Sequence, residues 1–196
     1  MRGYSRGERQ AVRTKTSLVT AFSVLLRERN YADITVTDII TRADTGRSTF
    51  YRYFKSKADL LVFLHGDRFD KLLASLASEP AWLDDVPPRE LISFLTMFRG
   101  MGERPFSLAY MLGNDMDYVI HHINRLLSVK FEKNLRAAFA HRTTRIPFDV
   151  LSLSIAGSYC WVIISWLKGD IEYSPEEAAA YVHRLARAAI RTAIVL

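Results

Sequence analysis

The 196-residue sequence predicts an all-α protein of about nine helices. Three observations lead there. Apolar residues recur at helical spacing along most of the chain, and no alternating stretch or hairpin signal appears. Serines and threonines stand three residues ahead of acidic residues at several points, as helix N-caps do. Prolines are few, six in all, and they fall between the periodic segments.

Taken in order, Leu18, Val19, Phe22, Leu25 and Leu26 set a first helix over about 9–29, led by a basic arm. Thr35, three residues before Asp38, opens a short helix with Val36, Ile39 and Ala43 on one face. Asp44 and Thr45 make a turn, and a third helix over 46–54 points Phe50 and Phe54 inward. Ser56 to Asp59 repeats the capping pattern and starts a fourth helix reaching about Ser78. Three prolines make 79–88 a break. Segments near 89–98 and 106–112 follow, then a long helix over about 115–141.

Pro147 opens a helix with no formal charge over 150–167, ending near Gly169. Its length suits a minimal membrane span, but Ser152, Ser154, Ser158 and Ser165 are dispersed through it, so it reads as a buried helix and no membrane partner is expected. Ser174, Pro175, Glu176 and Glu177 place a cap, a first-turn proline and an acidic N3 at the start of the last helix.

The net charge of +6 is unevenly spread: residues 1–58 hold 12 Lys and Arg against 5 Asp and Glu, and the remainder 15 against 16. A basic head on a neutral body suits a polyanion-binding module joined to something else. The single cysteine, Cys160, excludes an intrachain disulfide framework and a multi-cysteine zinc site, so a reducing cytoplasm is the expected setting. Residues 1–10 carry arginines with no apolar stretch behind them, so no secretory signal is expected. His121 and His122 are adjacent and diverge on a helix, so no metal site is expected. No nucleophile elbow, zinc-protease motif or glycine-rich phosphate loop occurs, so no catalytic residue and no cofactor are assigned.

Two short helices joined by a tight turn and packed on a longer one are the parts of a helix-turn-helix. With Phe50 and Phe54 inward, Arg47, Ser48, Thr49, Tyr51 and Arg52 face a major groove. Arg47, at the leading end, suits a guanine edge. Tyr51, Tyr53 and Lys57 suit phosphates, as do the first backbone N–H groups of the fourth helix.

The run ITVTDIITRADTGRSTFYRYFKSKADLL, residues 34–61, resembles the helix-turn-helix of the TetR family of bacterial transcriptional regulators, and the likeness extends over about 9–62. The resemblance implies phosphate contacts from Thr35, Thr49, Tyr51, Tyr53 and Lys57, and base-edge contacts from Thr37, Arg47, Ser48 and Arg52. It also implies a homodimer on double-stranded DNA with a palindromic operator. The expected division is a DNA-binding domain over 1–56 and an effector-binding and dimerisation domain over 57–196. Asp44 stands where the family usually has glycine; aspartate tolerates a left-handed backbone better than most residues.

In the body, Ala178, Tyr181, Val182, Leu185, Ala186, Ala189, Ile190 and Ala193 form a stripe rich in small residues along the last helix. Paired across a two-fold with the charge-free helix, it gives a four-helix bundle with Gly157, Trp161, Tyr181, Leu185 and Ala189 as the expected dimer interface. Phe94, Met97, Phe98, Tyr110, Met111 and Trp161 are expected to line a pocket for a small apolar or amphipathic effector. The function expected is a ligand-released repressor. The alternatives are a DNA-bound adaptor whose C-terminal domain binds another protein, and an all-α enzyme.

Overall fold

Nine α-helices and two 3-10 turns make up the described residues, 6–99 and 112–195, of a computed structural model. Helices α1 (Arg6–Glu28), α2 (Val36–Arg42) and α3 (Arg47–Tyr53) form the head. Helices α4 (Lys57–Ser75), α5 (Glu79–Leu83), α6 (Arg89–Arg99), α7 (Met116–Ala138), α8 (Phe148–Lys168) and α9 (Pro175–Ala193) form the body. The segment expected as a helix near 106–112 lies, but for Leu112, outside the described residues.

Local signals explain three of the helix starts. Thr35 and Asp38 make a reciprocal capping box on α2, and Ser174 and Glu177 make one on α9. Ser56 caps α4 through the Asp59 amide. Asp44 takes φ 49° in the turn, the left-handed conformation for which glycine is the easiest residue. Gly169 ends α8 with φ 79°.

Three expectations are corrected. The fourth helix stops at Ser75, and a separate short helix with Ser78 at its N-cap position lies in the supposed break. Pro80 sits in the first turn of that short α5, where its missing N–H costs nothing. Trp82 then anchors α5: it is fully buried, its Nε1 donates to Asn134 Oδ1 at 2.7 Å, and Asn134 Nδ2 donates to the Leu73 carbonyl at 3.0 Å. The charge-free α8 is only half buried; it packs Leu151, Ile155, Tyr159 and Ile164 inward and leaves Val150, Leu153 and Trp161 exposed. It remains long and apolar enough to cross a membrane by length and composition alone. The long helix α7 spans Met116–Ala138, shorter than expected, behind a 3-10 turn over Gly113–Asp115.

In the body, α7 lies along α8, α4 crosses α7, and α9 closes over α5, α6 and α8. Phe131 links the layers, with Trp82 and Tyr159 edge-on at 5.6 and 5.3 Å between centroids. An isolated antiparallel bridge pairs Thr144 with Ile194, fixing the end of α9 to the loop before α8.

Candidate functional site

The head is built around Leu18, Phe22 and Leu25 of α1, on which Ile39 of α2 and Phe50 of α3 close, each with almost no exposure. Polar side chains hold the short helices in place. Arg42 Nη2 donates to Glu28 Oε1 at 2.8 Å, Arg29 lies 3.4 Å from Asp38, and Ser17 donates to the Ala43 carbonyl at 3.0 Å beside the turn. The Thr35 hydroxyl and amide keep the Asp38 carboxyl below its usual range.

The outward face of α3 carries Arg47, Ser48, Tyr51 and Arg52, all exposed, with Thr49 and Tyr53 half-buried. Arg47 Nη2 donates to Thr37 Oγ1 at 3.1 Å, so two residues ten positions apart meet on one surface. Lys15 of α1 lies over the Tyr53 ring at 5.5 Å, placing a cation of the first helix beside that face.

Two residues expected at phosphates are already engaged. Lys57 Nζ donates to the Tyr31 and Ile34 carbonyls, both at 2.7 Å, and sits 4.0 Å from the Tyr31 ring centroid. Burial holds its pKa below the ordinary lysine value. Its role is therefore to tie the start of α4 to the loop before α2. The Thr35 hydroxyl donates to Asp38 Oδ2 at 2.6 Å, leaving it no proton for a phosphate. The start of α4 is also occupied, since Asp59 Oδ2 accepts from the Lys55 amide at 3.0 Å and places a carboxylate there.

One connection between head and body has no signal in the sequence. Tyr31 Oη donates to Asp115 Oδ2 at 2.6 Å, across 84 positions of chain. Burial first, and then this hydrogen bond, raise the Tyr31 pKa, so it stays a neutral donor.

The body holds a cavity of about 270 Å³ between α4, α6, α7 and α8. Phe94 and Met97, two of the residues proposed for a pocket, line it together with Phe69, Leu72, Leu127 and Ile163. Trp161 does not: it is 61% exposed on the opposite face of α8, because it is two residues out of step with Tyr159 and Ile163. The Phe98 side chain, Tyr110 and Met111 lie outside the described residues. Sequence reasoning missed Arg68, Lys71, Arg89 and Tyr159 in the lining. A signal for Arg68 existed, since it stands midway between the buried Leu64 and Leu72, at helical spacing from each.

Trp161 instead joins Val150, Leu153 and Gly157 in a ridge along α8, which is open in front of Gly157. On α9, Tyr181 and Leu185 are exposed, Ala189 is half-buried, and Val182, Ala186 and Ile190 turn inward. Leu153 is 58% and Leu185 51% exposed, a large apolar display for a single chain. Burial pushes the Cys160 thiol up to about 12, leaving it protonated at neutral pH. Among the described residues, no three His, Cys, Asp or Glu side chains gather as metal ligands.

Residues 18–62 match the family described as bacterial regulatory proteins, tetR family. The transcriptional regulator AcuR of Cereibacter sphaeroides is 32% identical over 116 residues, 58% of this chain and 52% of AcuR. DhaS of Lactococcus lactis, the activator of the dhaKLM operon, is 27% identical over 78 residues, 40% of this chain and 42% of DhaS. The chain thus spans about half or less of the length of these curated relatives. Among solved structures, Thermus thermophilus FadR, a TetR-family repressor in complex with lauroyl-CoA, shares the fold with a TM-score of 0.54 at 17% identity. That match covers 88% of this chain and 92% of FadR.

Proposed function

We propose, for a chain whose head is the helix-turn-helix of the TetR family, that it is a sequence-specific transcriptional regulator working as a homodimer on a palindromic operator. It acts as a repressor and is released by a small apolar or amphipathic effector held in its body. The observation that carries the reading is the division of α3: Phe50 is buried in the head while Arg47, Ser48, Tyr51 and Arg52 face outward together with Thr37 of α2. One such head reads only a half-site. The ridge of Leu153, Gly157 and Trp161, beside Tyr181 and Leu185, supplies a face that a second copy covers.

DhaS is named an activator and FadR a repressor; the reading here is repression, with α4 carrying the coupling. It runs from Lys57, bonded into the head, past Arg68, Phe69 and Leu72 at the cavity. A ligand seated there moves the head, and half-sites on a rigid duplex tolerate little change in spacing. A preference of about 1–3 kcal/mol for the mis-spaced state weakens operator binding about 5- to 150-fold.

Selection of bound duplexes from random DNA tests this directly. The expected result is a palindrome, held by two copies, with affinity falling steeply as salt rises. A chain that stays monomeric on its selected duplex overturns the dimer. Arg47→Ala is expected to cost about 1–3 kcal/mol and relax one base pair per half-site; equal losses on selected and random DNA remove it from base readout. The adaptor reading has one observation in its favour, the exposed ridge, and Leu153→Glu separates the two. Loss of dimer supports self-association, whereas an intact dimer removes the ridge from the dimer interface and leaves the adaptor reading its one observation.

A further inference from the structure

The cavity offers more to an anion than to a neutral molecule. On α4, Arg68 interrupts the apolar line from Leu64 to Leu72, so its half-buried guanidinium enters a wall that is otherwise greasy. It has no carboxylate partner among the described residues. Lys71 and Arg89 stand on the rim, also without ion-pair partners there, and among the described residues Glu90 is the single carboxylate in the lining. Burial, with Arg27 of α1 adding like charge, holds the Arg68 pKa below its ordinary value. A cation in that position is poorly compensated until an anion arrives.

Tyr159 is the second observation. It lines the same cavity, its hydroxyl is sealed from solvent, and that hydroxyl has no hydrogen-bond partner among the described residues. Burial raises its pKa, so it remains a phenol with a proton to donate. A buried unmatched donor costs stability, and a ligand oxygen removes that cost once a small shift of the side chain opens the hydroxyl to the cavity. Apart from Ser93, the remaining walls, among them Phe69, Leu72, Phe94, Met97, Leu127 and Ile163, are apolar. At about 30 Å³ per water-sized group, the volume of about 270 Å³ admits on the order of ten non-hydrogen atoms.

Resting on the reading of the body as an effector domain, we propose that its ligand is a small amphipathic carboxylate. Its apolar part lies among Phe69, Phe94 and Met97, its charge meets Arg68, and Tyr159 donates to one of its oxygens.

The test is calorimetry on the full chain with octanoate and octanamide, which have the same shape and about ten non-hydrogen atoms but differ in charge. Octanoate is expected to bind about tenfold or more tighter, as a charge-assisted pair requires. Arg68→Gln is expected to bring the two within about twofold, Arg68→Lys to keep part of the preference, and Tyr159→Phe to weaken octanoate at least threefold. Equal affinities in the unaltered chain, or no binding of either compound, overturn the proposal. A preference that survives Arg68→Gln overturns the role of Arg68. Should Arg68→Gln not fold, the unaltered pair and Arg68→Lys still decide. Selection of DNA is read in parallel: a chain that holds its duplex yet treats both compounds alike loses this proposal alone. A chain that selects no duplex loses the regulator reading, and its carboxylate preference stands.

Discussion

Head and body are both helical, but different forces hold them. The head's α2 and α3 have seven residues each, too few to be stable alone. Around their small apolar centre they are fixed by directed polar contacts: Thr35 with Asp38, Arg42 with Glu28, Ser17 with the turn, and Lys57 with two carbonyls. The body's α7 to α9 run 19 to 23 residues and are held by aromatic and aliphatic burial around Phe131. Directed contacts hold an interface in one shape, as reading base edges requires. Non-directional packing tolerates a cavity, as holding a ligand requires.

The largest effects expected follow from the two cores. Phe50→Ala and Phe131→Ala each remove a ring with no exposure, at a cost of about 3–5 kcal/mol. All three tryptophans, Trp82, Trp161 and Trp166, lie in the body, so their emission follows that region alone. Phe131→Ala is expected to lower the denaturation midpoint seen by tryptophan, and Phe50→Ala to abolish DNA binding with that midpoint little changed. If Phe50→Ala lowers the tryptophan transition as far as Phe131→Ala does, the two regions unfold as one and the distinction fails.

This contrast also explains what could be read in advance. The head's elements are encoded locally: a capping box spans three residues, and Phe50 and Phe54 are one helical turn apart, so its face was legible almost to the side chain. What escaped were second uses of the same groups, as when Lys57 meets carbonyls 23 and 26 positions away. In the body, helix starts at Ser174 and Pro147 were legible, but which face of α8 turns inward was not. Periodicity is silent on a helix apolar all round, and Trp161 was accordingly placed at the cavity instead of Tyr159 and Ile163. Trp82 hid a helix for a similar reason, since its anchors, Asn134 and the Leu73 carbonyl, come from α7 and α4.

Acid is expected to separate the two regions next. His65 of α4 packs against Phe69 and Phe94, with ring centroids about 6 Å away, and burial, then Arg68, bring its pKa down to about 3. A lowered folded-state value means the unfolded chain takes up the proton first. The stability is whole above about 6.5 and is lost as pH falls toward 3. At pH 4.5 the loss is about 3 kcal/mol, and His183, shifted the same way chiefly by burial, adds to it. In the head, Asp38 sits below its ordinary 3.8, held there mainly by the Thr35 hydroxyl, so its contribution survives to lower pH. The tryptophan midpoint should therefore drop between pH 7 and 4.5, and His65→Leu should flatten the drop. A midpoint indifferent to pH over that interval contradicts the assignment.

The smallest expected effect bears on how the regions communicate. Tyr31→Phe removes the hydroxyl that donates to Asp115 but keeps the ring under Lys57 and the carbonyl that Lys57 holds. The head's own contacts are thus preserved, and the stability cost should be about 2 kcal/mol, as for a hydrogen bond to a charged group. Asp115 leads into α7, which lines the cavity through Leu127, so the lost bond joins the region proposed to bind DNA to the region proposed to bind ligand. If head position is set through this bond, DNA affinity without ligand should change by less than about twofold. The factor by which ligand weakens DNA binding should shrink, and by reciprocity the factor by which DNA weakens ligand binding should shrink equally. Should stability fall while both factors stay fixed, the bond only fastens the head, and the coupling runs along α4 from Arg68 to Lys57.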